Sequence, residues 1–155
     1  ITEVLTGEVV DMGVKDPNNM GAAMAPAAAS LMLSYFKETG RDQDYFDIIA
    51  TGDLGYVGRT LTMELLAAEG YALDSRYTDC GIEIYDKQDQ DTHSGGSGCA
   101  CSALVFTSKF YKNLTDGRTK RMLFMPTGAL MSPTTSQQGE SIPSIAHGLV
   151  IESRC

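Results

Sequence analysis

Two stretches of this 155-residue chain carry residues whose types and spacing could do chemistry. The first, Gly52-Asp53-Leu54-Gly55-Tyr56-Val57-Gly58, sets glycines between an apolar strand and a helix, where bare backbone lets N–H groups approach a pyrophosphate. Its spacing is G-x-x-G-x-x-G rather than G-x-G-x-x-G, and Asp53 would put a carboxylate beside the phosphate. Tight turns and close helix–sheet packing are the better account of these glycines. The second stretch, His93-Ser94-Gly95-Gly96-Ser97-Gly98-Cys99-Ala100-Cys101-Ser102, is rich in donors at an expected helix start. Exposed N–H groups and the positive dipole end favour an anion there, such as a ligand carboxylate. The same dipole would favour a Cys99 thiolate, and His93 is near enough in sequence to act as its base, the pairing a thiol nucleophile needs. A buried, inert cysteine and Ser97 as a plain N-cap explain these residues without catalysis.

Other chemistries lack their residues. With 12 Lys plus Arg against 20 Asp plus Glu, the net charge is -8, and the one basic cluster (Lys109, Lys112, Arg118, Lys120, Arg121) is too small to drive counterion release from a nucleic acid. Two histidines, His93 and His147, form no H-x-x-x-H or carboxylate–His spacing, so no transition-metal site is expected. Asp42, Asp44, Asp47 and Asp53 make no EF-hand loop, and Asp86, Asp89 and Asp91 read as a solvated turn. The four cysteines, Cys80, Cys99, Cys101 and Cys155, offer only a C-x-C pair and are expected to be free and reduced. No apolar run approaches the roughly 20 residues that cross a bilayer. The chain starts at Ile1, already inside a strand-like pattern, which suggests a piece of something longer.

The elements that must position these loops follow from periodicity. Residues 1–10 read as a strand, and a helix is expected to start at Pro26 and stop at Gly40, with Ala28, Leu31, Met32, Tyr35 and Phe36 on one face. Residues 46–51 read as a strand, followed by a helix through Leu61, Leu65, Leu66 and Ala68 to Gly70. A third unit pairs a strand over 80–85 with a helix over 99–114, apolar at 103–106 as a helix buried on more than one side would be. Strands at 121–126 and 145–151 flank a long Ser/Thr/Gln loop over 127–143. The order β-α-β-α-β-α-β-β implies one α/β domain with a mainly parallel sheet, its last two strands able to pair antiparallel.

Several segments together resemble the carboxy-terminal half of the stage V sporulation protein AD family, thiolase-like proteins of endospore-forming bacteria. The resemblance rests on Lys15-Asp-Pro-Asn-Asn-Met-Gly-Ala-Ala-Met-Ala-Pro-Ala-Ala28, Thr51-Gly-Asp-Leu-Gly-Tyr-Val-Gly-Arg59, Tyr77-Thr-Asp-Cys-Gly-Ile-Glu-Ile-Tyr85, Gly95-Gly-Ser-Gly-Cys-Ala-Cys-Ser-Ala103, Pro126-Thr-Gly-Ala-Leu-Met-Ser-Pro133 with Gln137-Gln-Gly-Glu-Ser-Ile-Pro143, and Ala146-His147. It implies that residues 1–155 are one thiolase-like half-domain with a five-stranded mixed sheet, the amino-terminal half being absent. It implies binding of dipicolinic acid, pyridine-2,6-dicarboxylate, taken into the developing spore as its calcium chelate with integral membrane proteins of the same operon. Residence would be peripheral, at the spore inner membrane. No cofactor is implied beyond calcium in that chelate, and no enzymatic activity. A condensing enzyme of the ketoacyl-acyl carrier protein synthase III type, with the same architecture, would place a His near Thr51-Gly52-Asp53 and an Asn within residues 94–97; both are missing, and with them the donors for an oxyanion. A structural component of a spore membrane complex is the remaining alternative. The expected ligand contacts are Asp53, facing calcium, with His93, Gly96 and Ser97, and the open face of the third helix should be covered by the other half or by a second copy of the chain.

Overall fold

In the computed structural model residues 1–154 are described; Cys155, expected to be a free thiol, lies outside them. The chain runs β1 (Glu3–Leu5), α1 (Met20–Thr39), β2 (Ile48–Thr51), α2 (Gly55–Ala68), β3 (Tyr77–Asp79), α3 (Cys80–Glu83), α4 (Cys101–Val105), a π-helical turn (Phe106–Phe110), α5 (Tyr111–Thr115), β4 (Arg121–Met125), β5 (Thr127–Ala129), α6 (Pro133–Gln137), β6 (Ser144–Ala146) and β7 (Gly148–Glu152). Five strands form one mixed sheet in the order β1-β7-β4-β2-β3. β2 lies parallel to both β3 and β4, and β7 is antiparallel to β4 and β1. The α/β class and the five-stranded mixed sheet are those expected.

Strand periodicity divides the core in two, because alternate side chains leave opposite faces of a sheet. Ile49, Tyr77, Leu123, Met125 and Val150 face α1 and α2, where Leu31, Met32, Phe36 and Leu66 cover them. Ala50, Met122 and Phe124 face the other way, under Cys101, Val105, Phe110 and Leu114 of the helical rod over 101–115. The two helical layers therefore belong to different crossovers, β2-α2-β3 on one side and the β3-to-β4 connection on the other.

Several boundaries differ from the sequence expectations for local reasons. α1 starts at Met20, six residues before Pro26, because Asn19 accepts a hydrogen bond from the Ala22 amide and caps the helix. Pro26 is thus inside the helix, where it leaves the Ala22 carbonyl without its i+4 donor. The end at Gly40 is as expected, in the left-handed conformation (φ 67) with its amide on the Phe36 carbonyl. The buried stripe of α2 is Gly55, Gly58, Thr62 and Leu66, while Leu65 and Ala68 are exposed. A Cβ on Gly58 would stand 2.7 Å from the Gly21 carbonyl oxygen of α1, so the two helices touch backbone to backbone. The third strand is Tyr77–Asp79 rather than 80–85, since the Asp79 side chain accepts from the Gly81 amide and turns the chain into α3. Residues 103–106 are not buried all round: Val105 is buried, but Ala103 and Leu104 are exposed. The opening strand shrinks to Glu3–Leu5 with a single bridge from Val10 to Ser144. The long loop contains β5 and α6, the latter capped by Ser132 in a capping box with Thr135. The last strand is two, β6 and β7, broken at His147.

Candidate functional site

β2, β3 and β4 run parallel and end at the same edge, at Thr51, Asp79 and Met125. From β2 the chain crosses to β3 over one face and from β3 to β4, on the far side of β2, over the other. The crevice beyond β2 and β4 is thus a topological switch point, the place where open α/β sheets receive ligands.

Asp79 organises this edge from beneath. It is fully buried, and its carboxylate accepts from Thr51 Oγ1 (2.7 Å), the Leu54 amide (2.9 Å), the Gly55 amide (2.8 Å) and the Gly81 amide (2.9 Å). Burial pushes its carboxyl above the ordinary range, while these four donors pull the other way. Tyr77 beside it is likewise buried, its hydroxyl 3.2 Å from Thr51 Oγ1, and burial raises its pKa. Arg59 of α2 donates to the Tyr77 carbonyl with two nitrogens (3.1 and 2.9 Å) and lies over the Tyr77 ring. The loop that starts α2 is therefore tied to the end of β3. Gly55, in the left-handed region (φ 64), has room for no Cβ, which would lie 2.1 Å from the Ser94 carbonyl oxygen.

Above this floor, Asp53 joins three segments. Its Oδ2 accepts from Ser97 Oγ and the Gly98 amide, both at 3.0 Å, and its Oδ1 from Thr127 Oγ1 at 3.1 Å. Asp53, Leu54, Gly55 and Val57 line one wall of a cleft of about 170 Å³; residues 94–97 form a second wall, and the start of α1, Asn18 to Gly21, a third.

Asp53, Gly96 and Ser97, singled out from the sequence, thus meet in one cleft. His93 does not line it: its side chain is 88% exposed, 3.3 Å from Asp91, beside a separate depression over residues 87–93. Ser97 is not the N-cap, because the helix starts only at Cys101 and the hydroxyl is committed to Asp53. Three of the backbone donors of this loop are already used, Gly95 on the Thr92 carbonyl, Gly96 on that of Gly81 and Gly98 on Asp53. Cys99 is exposed. Cys80 and Cys101 are buried, and burial raises both thiols, that of Cys101 to about 11. In the basic cluster, Lys109 pairs with Glu83, Arg118 with Asp116 (2.8 Å) and Arg121 with Glu152 (3.2 Å). Sequence reasoning missed Asp79 and the α1 start. The available signal for Asp79 was a lone carboxylate closing an apolar strand two residues before a glycine, the Asx pattern that turns a chain.

A family model described as Stage V sporulation protein AD matches residues 1–152. A curated relative, Stage V sporulation protein AD of Bacillus subtilis (strain 168), is 47% identical over 152 residues, which cover 98% of this chain and 45% of the relative. The chain therefore spans less than half the length of that relative.

Proposed function

From the premise that this chain belongs to the stage V sporulation protein AD family, a family of sporulation proteins, we propose that it forms one thiolase-like half of a non-catalytic protein that binds dipicolinate. The bound form is the neutral one-to-one calcium chelate, which a chain of net charge -8 does not repel at long range. Its uptake into the developing spore proceeds with integral membrane partners at the spore inner membrane, where this chain is peripheral; no helix among the described residues is long and apolar enough to cross a membrane.

The observation that carries this reading is the cleft beyond the carboxyl end of β2, walled by residues 94–97 and by the first turn of the 20-residue helix α1. A helix start favours a carboxylate through its unpaired N–H groups and dipole. The commitment of Asp53 to Ser97, Gly98 and Thr127 makes it a frame residue of the cleft rather than an outright calcium ligand. Among the described residues no cysteine is paired with a base: Cys80 and Cys101 are buried with raised pKa, and the histidine nearest Cys99 in sequence lies beside Asp91. The occupant of the exposed side of the rod over 101–115 is the remaining half of the longer protein, which in the relative amounts to more than half its length.

Equilibrium dialysis with calcium dipicolinate, run on this chain and on the full-length Bacillus subtilis relative, tests the reading. Binding by both supports it. Binding by the relative alone would put the site in the other half, and binding by neither would leave a structural role. A stoichiometric acyl adduct, found by mass after incubation with acyl-CoA, would overturn the non-catalytic assignment.

A further inference from the structure

At about 170 Å³ the cleft is smaller than the ~300–1,000 Å³ typical of small-molecule sites, and one of its walls is neither helix nor strand. From the end of α3 at Glu83 to the start of α4 at Cys101 the chain has no regular element. Stretches of that length without structure of their own are usually either functional or disordered, and this one is held by specific contacts to the body.

This segment touches the body mainly through its second half. Ser94 accepts from the Tyr56 amide (2.8 Å), the Gly96 amide donates to the Gly81 carbonyl (2.6 Å), and Ser97 and Gly98 donate to Asp53. Its first half adds the Lys87 ammonium over the Tyr56 ring. The contact is a seam of backbone on backbone: a Cβ on Gly81 would lie 2.2 Å from the Gly96 carbonyl oxygen, and one on Gly95 2.6 Å from that of Gly81. A glycine seam buries little apolar area, so its hydrogen bonds decide whether it stays shut. Two of them converge on a single atom, Asp53 Oδ2, in exposed surroundings. Positive φ at His93 (48) and Gly98 (137) flanks residues 94–97, with a further such position at Gly95 (102), and the two glycines are the positions best able to absorb a rotation.

We propose that the segment over 86–98 is a hinged wall of the cleft and that Asp53 is its latch. Breaking the two bonds to Oδ2 lets residues 94–97 swing off the Gly55 and Gly81 seam, widening the cleft for a ligand and closing again behind it. The gating role rests on the binding function proposed above; the hinge does not.

Amide hydrogen exchange on the 155-residue chain, read by NMR, tests it. Asp53→Ala is expected to speed exchange of the Tyr56 and Gly96 amides at least tenfold while leaving Ile49 and Gly40 unchanged, and Ser97→Ala, which keeps the Gly98 bond, to give a smaller effect at the same amides. Unchanged Tyr56 and Gly96, or equal acceleration everywhere, would overturn the latch. Adding calcium dipicolinate to the wild type should slow those two amides severalfold. If dialysis detects no binding while the Asp53→Ala effect appears, the ligand assignment fails and the latch stands; binding that leaves both amides unaltered would overturn the gate.

Discussion

Four donors from three segments end on the buried Asp79 carboxylate, tying the ends of β2 and β3 to the start of α2. Asp79→Asn keeps one acceptor oxygen and turns an NH₂ group toward buried amides, leaving donors unpaired at about 1–3 kcal/mol each. Urea denaturation should show a loss of about 3 kcal/mol or more, whereas Tyr77→Phe, which removes the hydroxyl's contacts to Thr51 and Thr62, should cost about 1–2 kcal/mol. At the surface, Arg76 donates to Asp74 (2.7 Å) and also pairs with Asp44. The Arg76 side-chain hydrogen bond, helped by the Arg76 amide, holds the Asp74 carboxyl down at about 2. Its folded pKa lies below the ordinary value of 3.8, so the native state disfavours protonation and the stabilisation is present above that value. It is lost as pH falls from near 4 toward 2. Asp74→Asn, which retains an oxygen for the Arg76 amide, should therefore be less stable than wild type at pH 7, and the gap should close by pH 2–3 in parallel urea titrations.

At the scale of elements, α1 shows how a cap can outrank a helix breaker. Asn19 starts the helix and the Ala-rich run packs against α2 and the sheet, and together these outweigh Pro26 in the helix interior. Pro26 is half-buried, and Pro26→Ala should restore an amide for the Ala22 carbonyl. A helix-interior proline costs about 3 kcal/mol, partly offset by the unfolded-state entropy it removes, so a gain of about 1–2 kcal/mol is expected, read as a higher Tm. Gly55→Ala should do the opposite, because φ of 64 and a backbone oxygen 2.1 Å from the new Cβ require the Ser94 segment to move. A loss of about 2–4 kcal/mol is expected in the same measurement.

For the whole molecule, the layer over 101–115 leaves large apolar side chains uncovered. Leu104 is 55% and Tyr111 57% exposed, and Val4, 73% exposed, lies on the sheet face that this layer covers. Apolar side chains exposed on one layer are what a covering partner would bury. Sedimentation of the isolated chain at micromolar concentration should reveal self-association, which Leu104→Lys abolishes. A monodisperse wild-type monomer would contradict an interaction face here.

The alternation of apolar and glycine-rich segments was enough to establish the α/β class and the sheet strands near 48–51 and 121–125, because burial on both faces leaves a continuous apolar run in the sequence. The helix end at Gly40 was equally legible, since only a residue tolerant of positive φ ends a helix that way. Family motifs, spread over nearly all of the chain, marked the same loops that the fold brings to one edge. The sequence did not reveal where α1 begins, because a side-chain cap at Asn19 looks like any turn residue. Nor did it show that residues 80–85 leave the sheet, because Cys80, Ile82 and Ile84 keep a strand's alternation while Asp79 bonds Gly81 and turns the chain. The partners of Asp53, 44 and 74 residues away at Ser97 and Thr127, were decided only by tertiary structure. A hydrogen bond between loops depends on where the sheet ends its strands, and no local pattern in the sequence encodes that distance.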